Sequence, residues 1–121
     1  MTDKPVYQES ECPFCRIVAG KAKAKMVRKW PDAIAIVPLN PVTIGHVLVI
    51  PRVHVERFSA DPWITGIAAR RASFLAEETG GDWNLIISEG AEATQTVPHI
   101  HAHLVPRRAN DGLRLPWSKH V

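Results

Sequence analysis

From residue 99 to residue 104 the chain alternates strictly: His, Ile, His, Ala, His, Leu. A period of two marks an extended strand, whose side chains point to opposite faces in turn. His99, His101 and His103 therefore share one face, and Ile100, Ala102 and Leu104 share the other. Residues 46–50 form a nearly continuous apolar run, as expected of a central strand, and Pro51 stops it. Residues 24–30 and 33–37 read as two short strands around Pro31-Asp32, hence a hairpin. Residues 82–88 read as another strand, through Leu85, Ile86 and Ile87.

Two segments carry helical signals. The longer opens at Asp61 as cap, with Pro62 at the first helical position. Ile64, Ile67, Ala68, Arg71, Phe74 and Leu75 follow near helical spacing, and Gly80-Gly81 ends it. The shorter spans residues 12–19, with Pro13 at its first position and Gly20 as stop. Pro38-Leu39-Asn40-Pro41 is a loop, because two prolines so close exclude regular structure. A polar loop of small residues, 89–96, feeds the histidine strand. Asn110-Asp111-Gly112 is a turn, and the tail beyond it carries Pro116-Trp117. Residues 1–10 are polar and aperiodic and read as a flexible segment; residues 11–121 read as one domain with a C-terminal tail. Helix, hairpin, strand, long helix and two strands do not alternate as in a doubly wound sheet. The order predicts an α+β domain with a mainly antiparallel sheet, one short helix and one long one.

Composition narrows the reading. With 121 residues, 45% hydrophobic and 22% charged, the chain suits one globular domain with a modest core. A net charge of +3 is compatible with an anionic ligand such as a phosphate ester. The only dense basic stretch, residues 24–30, reads as a solvated strand edge, so no nucleic acid polymer is expected. No apolar run has the length of a signal peptide or a membrane span. A cytoplasmic location is the expectation.

The chemistry lies in the histidines and cysteines. Half of the six histidines fall within five residues, on a face where an ordinary half-buried strand carries Thr, Ser or charge. Imidazole is a nucleophile, a proton carrier and a metal ligand near neutral pH. One catalytic metal held by all three is disfavoured, because positions i, i+2 and i+4 span roughly 13 Å. Cys12-Pro13-Phe14-Cys15 offers two soft ligands; zinc takes four, and His46 and His99 are the candidates for the rest. A thioredoxin-like redox pair fits less well, since no βαβ unit frames these cysteines.

His99-Ile100-His101-Ala102-His103-Leu104-Val105 matches the His-φ-His-φ-His-φ-φ signature, φ being apolar, of the histidine triad (HIT) superfamily. The chain resembles that family from about residue 11 to 108. Cys12 to Ile17, the stretch from Asn40 through Gly45-His46 to His54, and the Glu89-Gly90 to Gln95-Thr96 loop carry the likeness further. The resemblance implies a five-stranded antiparallel sheet with two helices, and a homodimer that joins sheets and packs long helices. It implies hydrolysis or transfer of nucleotides at the α-phosphate through a covalent nucleotidyl-histidine. The implied substrates are nucleoside phosphoramidates, adenylated amines and dinucleoside polyphosphates. On this likeness His101 is the nucleophile, His103 stabilises the non-bridging oxygens and Thr96 assists the leaving group. Gln95, Thr94, Ser88 and Asn40 would contact substrate. Family members with this Cys-x-x-Cys bind structural zinc through the first triad histidine, which here implies Cys12, Cys15 and His99, with His46 as the fourth ligand. His54 has no partner that spacing reveals and reads as a surface or capping residue.

Three positions depart from the family pattern. Pro38 stands where relatives often carry an acidic residue that holds the ribose hydroxyls. Ser88 replaces a frequent Asn, and Thr94 replaces a common glycine. These changes point to altered substrate choice or slow turnover, and leave open a nucleotide-binding or partner-binding module with weak or no catalysis.

Overall fold

The structure, a computed structural model, describes residues 10–117. Most of the N-terminal segment and the end of the tail, with His120, lie outside the described residues. Five strands form one antiparallel sheet: β1 (Lys25–Lys29), β2 (Ala33–Val37), β3 (Val47–Pro51), β4 (Asp82–Ile86) and β5 (Ala102–Arg107), in the order β1-β2-β3-β5-β4. Helix α1 (Pro13–Val18) precedes the sheet, and α2 (Pro62–Thr79) lies between β3 and β4.

The alternation read from sequence sorts the core into two faces. Ala35, Val49, Ile100, Ala102 and Leu104 pack with Ala68, Ala72 and Leu75 of α2. Ile34, Ile36, Leu48 and Ile50 pack on the other face with Cys12, Phe14 and Cys15 of the α1 segment. Alanines at 68 and 72, one turn apart, let α2 approach the sheet closely. Burial of each large aliphatic side chain here contributes about 1.5–3 kcal/mol. The central strands β2 and β3 are thus apolar on both faces, whereas β1, at the edge, is exposed along its whole length. Lys25, Arg28 and Lys29 give that edge the charge that disfavours edge-to-edge pairing.

The caps follow the sequence signals. The Asp61 carboxylate accepts from the amides of Trp63 and Ile64, and Gly80, at φ +75°, closes α2 with its amide on the Ala76 carbonyl. Cys12 caps α1, its sulfur accepting from the Cys15 amide. Arg71 of α2 clamps Asp32 in the β1–β2 turn at 2.9 Å.

The histidine strand starts later than its alternation suggests. The ladder of β5 begins at Ala102, not at His99. Pro98 has no amide to give, the His99 amide turns back to the Val97 carbonyl, and the Ile100 amide bonds the Val55 carbonyl. Facing is nonetheless as expected, since Ile100, Ala102 and Leu104 all face α2.

Candidate active site and metal centre

His101 and His103 lie side by side, their ring centroids 5.3 Å apart. His101 Nδ1 is 2.7 Å from the His99 carbonyl. A carbonyl only accepts, so His101 carries its proton on Nδ1 and leaves the Nε2 lone pair uncovered. Burial pushes the pKa of His101 down, partly offset by that same bond, and keeps the ring neutral. A neutral imidazole with one nitrogen tied to an acceptor is the form that attacks phosphorus.

His46 stands one residue before β3, and His103 pairs with Leu48 across the ladder, so both project on one face. Gly45 allows this placement: its φ is +94°, and a Cβ there would lie 3.1 Å from Pro106. The Val42 amide donates to His46 Nδ1 at 3.0 Å. The neutral His46 ring therefore has its proton on Nε2, which donates to His103 Nδ1 at 3.1 Å. His103 then carries its own proton on Nε2. Burial, helped by the neighbouring His101 and His46, pushes the pKa of His103 down to about 4. The chain of bonds thus produces two neutral imidazoles with opposite polarity: an acceptor nitrogen on His101 and a donor nitrogen on His103.

A cleft of about 270 Å³ opens beside His46 and His103, and Ser88, Thr94, Asn84 and Arg114 also line it. Thr94 adopts a left-handed conformation at φ +70°, which explains why a glycine suits that position. Gln95 is spent on the backbone: its amide nitrogen donates to the Glu56 and Val97 carbonyls, and its oxygen accepts from the Gly90 amide. It braces the loop that leads to the histidines. Glu89 anchors the start of that loop by accepting from the amide and hydroxyl of Ser59. Thr96 is exposed at the loop's end, and Asn40 is exposed between β2 and β3; neither lines the cleft.

On the α1 side, Cys12, Cys15, His54 and His99 are all buried and hold their ligand atoms within 4.8 Å of one another. This corrects two expectations. His46, expected as the fourth ligand, is engaged by Val42 and His103 instead. His54, read as a surface or capping residue, takes that place, because the chain beyond Pro51 folds back towards α1. The signal in the sequence was a histidine three residues past the end of a central strand, with no spacing motif to mark it.

The donor set suits a tetrahedral ion. His99 Nε2 donates to the Pro51 carbonyl at 2.7 Å, so its Nδ1 presents a lone pair to the cluster. That Nδ1 lies 3.2 Å from His54 Nδ1, 3.4 Å from the Cys12 sulfur and 3.6 Å from the Cys15 sulfur. Cys15 and His54 are 3.3 Å apart. Zinc bond lengths of about 2.3 Å to sulfur and 2.0–2.1 Å to nitrogen give tetrahedral edges of about 3.3–3.6 Å for such pairs. The four residues therefore could hold a metal ion. With all four positions supplied by protein, such a site is structural and offers no place for a reacting water.

The family profile of the HIT domain matches residues 19–110. The chain belongs to the HIT family. A zinc-bound histidine triad protein of Mycobacterium smegmatis, whose crystal structure is known, superposes on this HIT chain with a TM-score of 0.79. It is 36% identical, over 87% of this chain and 81% of that one. The adenylylsulfatase of Arabidopsis thaliana is 29% identical over 87% of this chain, which spans 56% of that protein's length. The adenosine 5′-monophosphoramidase of Saccharomyces cerevisiae is 29% identical over 93% of this chain and 73% of its own. Among the described residues, no helix of the HIT chain is long and apolar enough to cross a membrane.

Proposed function

We propose that this HIT protein is a nucleotide hydrolase or transferase acting at the α-phosphate of nucleoside phosphoramidates, adenylated amines or dinucleoside polyphosphates. The observation that carries the reading is the His101 Nδ1 bond to the His99 carbonyl, which leaves Nε2 as a free lone pair beside the donor nitrogen of His103. Two relatives, an adenylylsulfatase and an adenosine 5′-monophosphoramidase, support this substrate class.

The reaction runs in two displacements. In the first, the His101 Nε2 lone pair bonds to the α-phosphorus while the bond from phosphorus to the leaving group breaks. The leaving group departs with that electron pair and, when it is an amine, takes a proton from solvent, with the Thr96 hydroxyl as a relay. His103 Nε2–H bonds a non-bridging oxygen, where negative charge grows. In the second, water bonds to phosphorus, its proton passes to solvent, and the phosphorus–Nε2 bond breaks. Nucleoside monophosphate leaves and His101 returns to its starting form. Ser88 and Thr94 contact the substrate from the cleft wall, Asn40, outside the cleft on the β2–β3 loop, meets only the part of it that projects beyond the wall, and Gln95 acts by holding the approach loop.

Zinc in the Cys12/Cys15/His54/His99 cluster belongs to the same reading, supported by the donor set and the zinc-bound relative. When bound it supplies a structural cross-link between α1 and the segments on either side of α2. A homodimer belongs to it as well, since β4 is an edge strand and exposes Leu85 and Ile86. Release of amine from an adenosine phosphoramidate tests the activity. Turnover by the native chain and its loss in His101→Ala are expected; full activity in the variant contradicts the proposal.

A further inference from the structure

His101 is not held by its own strand. It lies one residue before β5, outside the ladder. Beside the neighbouring His103 ring, it makes two contacts on the α1 side. Nδ1 bonds the His99 carbonyl, and Phe14 meets the ring edge-on, with centroids 5.0 Å apart at 74°. Both contacts trace back to the cysteine–histidine cluster. His99 gives its ring to that cluster and its carbonyl to His101. Phe14 sits between the two cysteines, is buried, and packs edge-on against His99 as well, at 5.8 Å and 82°.

The α1 segment packs Phe14, with Ile17 and Val18 partly buried, on Ile34, Ile36, Leu48 and Ile50, while Cys12 and Cys15 face His54 and His99. Six residues are too few for a helix to persist in water, so its position depends on what its side chains grip. Its buried residues are Phe14 and Cys15, with Cys12 buried at the cap. Two of these three are candidate metal ligands and the third touches the nucleophile. Fixing the two sulfurs fixes the Phe14 ring between them. Fixing His99 fixes the carbonyl that selects the His101 tautomer.

We propose that the Cys12/Cys15/His54/His99 cluster, loaded with metal, is a positioning device for the nucleophile, and that Phe14 is the positioning residue linking the two. Metal occupancy then sets the fraction of chains whose His101 is aimed and in the attacking tautomer. The proposal rests on the reading of His101 as nucleophile, and it assigns the ion no part in the chemistry.

Ring nitrogen resonances of the ¹⁵N-labelled full chain test it, with and without zinc, in the native protein and in Phe14→Leu and Phe14→Ala. The zinc-loaded native chain is expected to show His101 as a single Nδ1–H tautomer. Removing zinc, or replacing Phe14 by Ala, is expected to shift His101 towards averaged tautomers. In parallel, kcat falls about three- to tenfold, while KM stays within twofold. Phe14→Leu fills the space without the ring and carries the test where Phe14→Ala does not fold. It is expected to keep zinc and a cooperative unfolding transition, with a modestly lower melting temperature, but lose part of kcat. An unchanged His101 signature and kcat in folded Phe14 variants and in the zinc-free chain overturn the proposal. The ring resonances are read without substrate, so a chain that turns over no phosphoramidate defeats the functional reading while the positioning claim is still decided.

Discussion

His46 Nε2 donates to His103 Nδ1 across 3.1 Å, and this one bond decides which nitrogen of His103 carries its proton. The direction is imposed from the backbone, because the Val42 amide occupies the other nitrogen of His46. His46→Ala removes the donor and frees His103 to take either tautomer. A lost hydrogen bond of this kind is worth about 1–1.5 kcal/mol, so kcat is expected to fall about tenfold. Steady-state kinetics on a phosphoramidate check it; an unchanged kcat in the folded variant removes the relay from the account.

His54, rather than His46, is expected to matter for metal. His54→Ala should bind less than one zinc per chain and lose the rise in melting temperature that zinc gives the native protein. His46→Ala should keep both. Metal analysis after dialysis and thermal melts with and without chelator measure this. The opposite pattern would restore the ligand set expected from the sequence.

Stability is expected to fall in mildly acidic solution through His103. Its folded pKa is about 4, below the ordinary histidine value of 6.5, chiefly because burial disfavours the charged ring. Between those values the unfolded chain binds a proton that the folded chain refuses, so unfolding takes up a proton. The stabilisation is therefore complete above about pH 6.5 and is lost as pH falls towards 4. Urea melts from pH 7.5 to 4.5 in native chain and His103→Gln check this. The variant should show the shallower pH slope.

Much of the fold was legible because it rests on local signals. Asp61-Pro62 and Gly80-Gly81 bracket α2, Pro31-Asp32 turns the hairpin, and the period of two sorted Ile100, Ala102 and Leu104 onto the α2 face. The start of β5 was not legible, because Pro98 and the Val55 carbonyl, a tertiary partner, take residues 98–100 out of the ladder. The cysteine–histidine cluster was half legible. Cys12 and Cys15 announce themselves by spacing, and the triad supplied His99, but His54 joins them only through the path of the chain after Pro51. The His99 carbonyl that holds His101 belongs to the backbone and has no mark in the sequence at all. Thr94 shows the converse case: the departure from glycine was visible, while its left-handed φ needed the structure.

On the proposed reaction, His101 Nε2 becomes covalently bonded to phosphorus. Rapid acid quench of the native chain with an adenosine phosphoramidate, followed by intact mass and peptide mapping, tests it most directly. A single adenylyl adduct on His101 is expected, absent in His101→Ala and accumulating when water attack is the slower step. Turnover in which mapping places an adduct on another residue would contradict it.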